Sequence, residues 1–227
     1  MAHLLDNPAW WALREAQAAF GETHERVARY TPAISPIGAV GESTPDAFES
    51  LARMCSRDPV AIISEHASLP LPAHVRTVRH VGLHQMVCEA AAPPVPIDSV
   101  RLGSADAEEA LALVALTEPG PFARRTLELG TYLGVRERGR LLAMTGERLK
   151  PPGWTEVSGV CTHPDGRGRG YALGLVTAVT NAILARGEAA FLHVAIGSPS
   201  EKSALRVYER VGFRTRRQLY LHVLVAP

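Results

Sequence analysis

The stretch from Val160 to Ala172, VCTHPDGRGRGYA, constrains this chain more than any other. An apolar strand-like run ends at His163-Pro164, because proline cannot continue a central strand. Gly166, Gly168 and Gly170 follow on alternate positions. After them Ala172, Val176, Val179 and Ile183 recur at helical spacing, and Gly187 closes the run. The order reads as strand, glycine loop, helix.

A helix start carries unpaired backbone N–H groups and the positive end of the helix dipole. Glycines let an anion approach without meeting a Cβ, and Arg167 and Arg169 add charge. No Asp or Glu occupies the first turns of this helix, which keeps the helix start open to a bound anion. A P-loop is excluded, since no Lys-Ser or Lys-Thr follows the glycines. The dinucleotide fingerprint also fails: the sixth position is Leu173 counted from Gly168 and Tyr171 counted from Gly166. Too little sequence follows for a full doubly wound domain.

Charge narrows the partners. Twenty-four Lys and Arg against 23 Asp and Glu leave a formal charge of +1. That balance argues against wrapping nucleic acid or binding an anionic membrane through bulk charge. No apolar run reaches the ~18 residues of a membrane span, and the first twenty residues do not read as a secretion signal. Cys55, Cys88 and Cys161 are odd in number and widely spaced, which predicts reduced thiols in a cytoplasmic protein. The nine His residues form no HxH or HExxH pattern, and there is no CxxC, so no metal is expected.

Ala90–Pro96, AAAPPVP, is the expected boundary between residues 1–96 and 97–227. Before it, Asn7-Pro8 predicts a helix with Trp10, Leu13, Ala16 and Phe20 on one face, ending at Gly21. Thr44-Pro45 predicts a second helix with Phe48, Leu51 and Cys55 inward. Strands are expected at 60–64, and as a pair at 75–80 and 84–88 around Gly82. After the boundary the order is a strand at 100–103, a helix at 107–116, a hairpin at 131–136 and 141–148 turning near Arg138-Gly139, a strand at 155–162 and a helix at 170–186. A strand at 191–196, a helix at 199–210 and a strand at 218–225 complete it. This predicts an α/β (α+β) fold: a mixed, twisted sheet with helices on both faces.

The pattern Arg167-Gly-x-Gly-x-Ala172 after an apolar strand resembles the acyl-CoA-binding motif of the GNAT superfamily of N-acetyltransferases. A second stretch, ALRVYERVGF at 204–213, is similar to the family's helix that carries Ala and Tyr and ends in Gly-Phe. An isolated GRGRG could equally be a solvated turn; the two stretches in this order and spacing favour the family. The resemblance covers about Val100 to Val225, and the phrase CTHPDGRGRGYA looks most like the glycine N-acyltransferase-like branch. It implies a mostly antiparallel GNAT sheet in 97–227, with 1–96 either an added α+β region or a degenerate GNAT-like half.

The resemblance further implies that the backbone of Arg167, Gly168, Arg169, Gly170, Tyr171 and Ala172 holds the CoA diphosphate, and that Val160, Cys161 and Thr162 pair with the pantetheine arm. The implied activity is acyl transfer, most simply acetyl, from acetyl-CoA or another acyl-CoA to a primary amine on a small molecule or peptide. No metal, nucleic acid or membrane is expected, and the chain would act as a monomer or homodimer. The alternative is a CoA-binding regulatory or interaction module without turnover. Tyr208 is the candidate acid for the departing thiolate, with plain packing as the competing reading. Glu156 is the candidate base, or else a solvated or Arg-paired strand residue. Strand alternation would put Glu156, Ser158, Val160 and Thr162 on one face and turn Cys161 away from Glu156. The family's Asn before this helix is replaced by Glu201, which reads as part of a capping box with Ser198 and Pro199. Trp154 could line an acceptor pocket or pack in the core, and His163, His193 and His222 read as structural or surface groups.

Overall fold

The computed structural model describes residues 3–55 and 58–226. In chain order the elements are α1 (Pro8–Arg14), β1 (Gly21–Thr23), β2 (Val27–Tyr30), β3 (Ile37–Val40), α2 (Pro45–Cys55), β4 (Val60–Ser64) and β5 (Arg76–Cys88). Then follow β6 (Val100–Leu102), α3 (Ala107–Thr117), β7 (Tyr132–Glu137), β8 (Arg140–Glu147), β9 (Trp154–Thr162), α4 (Tyr171–Ala185), β10 (Ala189–Ala195), α5 (Glu201–Val211) and β11 (Arg214–Val225).

The strands form one open sheet in the order β1-β2-β3-β4-β11-β5-β10-β9-β8-β7-β6. Neighbours run antiparallel except β3 with β4 and β9 with β10. The fold is therefore the mixed, mostly antiparallel sheet flanked by helices that the sequence predicts. Strand β5, which precedes the proline stretch, lies between β11 and β10, which follow it. The proline stretch itself is strapped to α4, where Asn181 donates to the Ala92 carbonyl and accepts from its N–H.

Alternation on β10 separates two cores. Ala190, Leu192 and Val194 pack with Val176, Val179 and Ile183 of α4 and with Tyr208, Val211 and Phe213. Phe191 packs on the other face, with Leu5, Ala9 and Leu13 from the start of the chain. Each fully buried aliphatic side chain here contributes roughly 1.5–3 kcal/mol. The hairpin turns as expected, at Arg138 (φ 49°) and Gly139 (φ 82°), the left-handed pair that a two-residue turn requires.

Three local expectations are corrected. Helix α1 ends at Arg14, and Ala16 is exposed; Asn7 does not cap it but donates to the Val40 carbonyl across the fold. The pair of strands expected around Gly82 is a single strand, β5, because pairing with β11 runs from Arg76 to Val87 without a turn. The capping box at Ser198 does not form: the Glu201 carboxylate instead accepts from the Gly197 N–H (2.6 Å) and meets His84 (3.0 Å). Phe48 and Leu51 are buried as expected, whereas the side chain of Cys55 lies outside the described residues.

Candidate active site

The glycine loop makes a short 3-10 turn, Pro164–Gly166, and then reaches α4 through Gly168 (φ +76°) and Gly170 (φ +80°). A Cβ at either glycine would meet nothing within 4 Å, so space is not what demands glycine there; the left-handed backbone is. The first backbone N–H to find a carbonyl at this end is that of Gly174, onto Gly170 (3.0 Å). Among the described residues, the N–H groups from Gly168 to Leu173 donate to no protein acceptor. They form the open row of donors that a diphosphate needs. The side chain of Arg169 is turned aside: it pairs with Glu137 (2.7 Å), lies over the Tyr171 ring, and the Tyr171 hydroxyl also donates to Glu137. Arg167 is exposed and free of ion pairs among the described residues.

The second element of the site is a fork in the sheet. Strands β9 and β10 pair in parallel only from Trp154 to Glu156. Beyond that, β9 stays with β8 and β10 stays with β5, so the facing edges separate. A bulge at Gly159 (φ +63°) sits just past the fork, where the β8–β9 register shifts between Met144 and Gly146. The bulge reverses the expected alternation. Val157 and Val160 both face α4, while Glu156 and Cys161 lie toward the opposite face. Glu156 therefore does not share a face with Val160, and Cys161 is not turned away from it: an extra residue in one strand flips every side chain after it.

At the fork lies a buried charge network. Arg148 donates to both oxygens of Glu156, from Nε and Nη2, each at 2.8 Å. Glu156 Oε1 also accepts from His193 Nδ1 (2.8 Å), and the Leu149 N–H lies 3.4 Å from Oε2. Burial pushes the Glu156 carboxyl up, but the adjoining Arg148 charge, its hydrogen bonds and His193 outweigh that and hold it down at about 2. Gln85 fixes the far side of His193. Its oxygen accepts from Arg216, and its amide donates to the Leu5 carbonyl and faces His193 Nε2 (3.1 Å). That orientation assigns the proton of His193 to Nδ1.

Tyr208 of α5 is buried, edge-on to Phe213, and its phenol is held well above its usual range by burial and then by nearby Cys161. Tyr132 on β7 is fully buried, and among the described residues its hydroxyl has no hydrogen-bond partner. An orphaned buried hydroxyl costs about 1–3 kcal/mol, so its retention calls for a reason.

A separate hollow lies elsewhere. It has a volume of about 380 Å³ and is lined by His24, Arg26, Asp46, Glu49 and Arg53 among others. Arg26 there pairs with Asp46 and Glu49 with His74, and the hollow adjoins neither the loop nor the fork. Among the described residues no cluster has the composition of a metal site. No described helix is long and apolar enough to cross a membrane.

Comparison with solved structures identifies the architecture. An acetyltransferase assigned to the GNAT family from Novosphingobium aromaticivorans DSM 12444 is 37% identical over 100% of both chains, with a TM-score of 0.90. The chain belongs to the GNAT family. The FR47-like protein model matches residues 132–221, the length that holds the hairpin, the fork, the loop and α5. A GCN5-related N-acetyltransferase from Kribbella flavida shares the fold at 17% identity, covering 94% of this chain and 95% of that one, with a TM-score of 0.58. A GCN5-related N-acetyltransferase-like protein from Streptococcus suis 89/1591 does so at 14% identity, over 95% and 92%, also with a TM-score of 0.58. No protein of curated function matches the sequence.

Within this GNAT sheet the residues singled out from sequence divide in two. The loop residues 167–172 and the β9 edge at Val160–Thr162 lie along one path, from the α4 start to the fork. Trp154 instead packs on the first core beside His3, His163 caps the 3-10 turn, and His222 meets the His66 carbonyl. Arg148, His193, Gln85 and Tyr132 were not singled out for chemistry. Arg148 and His193 meet Glu156, Tyr132 meets the bulge and Gln85 meets His193 through the pairing of distant strands, and no local spacing announces that. Cys161 is buried and its thiol is pushed up to about 12 by burial. It should resist iodoacetamide at pH 8 in the native protein and react on unfolding, as mass spectrometry of the labelled chain would record.

Proposed function

We propose that this GNAT protein is an N-acyltransferase that moves an acyl group, most simply acetyl, from acyl-CoA to a primary amine on a small molecule or peptide. The observation that carries the reading is the row of free N–H groups at the α4 start leading to the forked edge of β9. The backbone of Arg167, Gly168, Arg169, Gly170, Tyr171 and Ala172 would hold the diphosphate, and Val160, Cys161 and Thr162 would pair with the pantetheine amides. A CoA ester supplies the thioester carbonyl. Placement in the glycine N-acyltransferase-like branch and in the cytoplasm rests on the loop phrase and the cysteine pattern respectively.

In this reading the amine nitrogen attacks the thioester carbon, the C–S bond breaks, and the sulfur takes its proton from Tyr208. Burial keeps the phenol protonated, and the same dry surroundings raise the proton affinity of the thiolate. Glu156 is an anchor in this scheme and not the free base, since all its strong acceptor positions are engaged. The amine enters neutral and, once bonded to the carbonyl carbon, sheds a proton to solvent, from which the Tyr208 phenolate regains its own. The rate at limiting amine should therefore rise with pH along the acceptor's own titration, shifting when an amine of different basicity is used.

The test is release of thiol from acetyl-CoA with a panel of amines, alongside thermal shift with CoA. Tyr208→Phe should lower kcat about 100-fold while CoA still stabilises the protein. Unchanged kcat would remove Tyr208 from the chemistry. The saturated state of Glu156 also favours a second reading, a CoA-binding module without turnover. Stabilisation by CoA with no amine acylated would select it. No stabilisation by CoA would end both readings.

A further inference from the structure

The orphaned Tyr132 hydroxyl has a direction. Tyr132 stands opposite Gly146 in the β7–β8 register. Its ring lies flat across that glycine: a Cβ on Gly146 would come within 2.3 Å of the ring's first carbon. The ring continues to β9, where a Cβ on Gly159 would be 3.2 Å from Cε1. Two glycines thus open a lane from β7 across β8 to the bulge, and Phe122 closes the ring's side edge-on, with centroids 5.8 Å apart. With Cε1 against Gly159, the hydroxyl at the tip of the ring lies beside the bulge, on the stretch of β9 just past the point where β9 leaves β10. The nearby charges are already spent on one another, Arg148 with Glu156 and Glu147 with Lys150 and Arg186. Among the described residues, the hydroxyl is a buried, unspent donor beside the bulge.

We propose that the Tyr132 hydroxyl donates a hydrogen bond to the carbonyl oxygen of the acyl thioester, so that this side chain reads the acyl group and not the CoA body. The inference rests on the acyltransferase reading above and deepens it. The geometry suits a carbonyl: the hydroxyl lies buried beside the bulge, on the stretch of β9 that the pantetheine arm would follow to its end. The bond positions the carbonyl carbon for attack, and the donor gains strength as charge develops on the oxygen. Ser43 and Thr180 also carry unpartnered buried hydroxyls, but they sit outside the fork, Ser43 just ahead of α2 and Thr180 midway along α4.

The test is calorimetric titration of wild type and Tyr132→Phe with acetyl-CoA and, separately, with free CoA, which has no acyl carbonyl. The phenylalanine keeps the ring in its lane and removes only the orphaned hydroxyl, so the melting temperature should hold or rise. Acetyl-CoA should bind about three- to tenfold more weakly to the variant, with CoA binding unchanged. If both ligands weaken equally, or neither does, the proposal is overturned while the CoA site stands. If wild type binds neither ligand, the acyltransferase reading falls and takes the proposal with it.

Discussion

Glu156→Gln should destabilise the protein by about 3–5 kcal/mol, lowering the melting temperature by roughly 10 °C, whatever it does to turnover. The substitution leaves Arg148, which is 8% exposed, with its charge uncompensated among Tyr30, Tyr132 and the strand backbone. Breaking one member of a buried pair is costly, while replacing both with apolar side chains is often neutral. A Glu156→Leu, Arg148→Met double variant should therefore regain much of the loss. The pH dependence has a definite sign. The folded carboxyl, held at about 2, lies below its ordinary value of 4.5. Its contribution is present above pH 4.5, is lost as the pH falls from 4.5 toward 2, and amounts to about 3 kcal/mol. Urea melts of wild type at pH 7 and pH 3 should differ by about 2 kcal/mol, the part of that loss incurred by pH 3, and those of Glu156→Gln by much less. A Glu156→Gln variant as stable as wild type but dead in turnover would restore Glu156 as the base.

Ala172→Asp should separate folding from binding. Ala172 is the second residue of α4, whose first turn carries no acidic residue. An aspartate there faces the positive end of the helix dipole and should add up to about 0.5 kcal/mol of stability. The same charge would stand among the N–H groups offered to the diphosphate. Two like charges about 4 Å apart repel by about 4 kcal/mol at the effective dielectric of a protein surface. Affinity for CoA should fall about 100-fold or more, with the melting temperature unchanged or higher. Titration of CoA into the variant, paired with a thermal melt, checks both halves. Undiminished CoA affinity would move the diphosphate away from α4.

The glycine loop, the helix behind it and the Ala204–Phe213 stretch were legible because each is local. Glycine at Gly168 and Gly170 answers to a left-handed backbone, and Val176, Val179 and Ile183 answer to a 3.6-residue period. The final strand, the hairpin turn and the inward residues of α2 were legible for the same reason. The unbroken β5 was not, since what carries it past Gly82 is its pairing with β11, over a hundred residues later. Nor was the end of α1, where Asn7 bonds to Val40 rather than to its own helix.

The row of donors at 168–173 is thus a property of the sequence: backbone conformation and helix periodicity are set by near neighbours, and they suffice to mark where a diphosphate could sit. The chemistry around Glu156 is a property of the tertiary structure. A single bulge at Gly159 decides which face the β9 side chains beyond it take, and only the pairing of β8, β9 and β10 brings Arg148 and His193 onto one carboxylate. From sequence Glu156 reads equally as a base or as an Arg-paired residue, and only the fold supplies the Arg148 and His193 partners, because the pKa of a buried group is set by charges brought to it from distant parts of the chain.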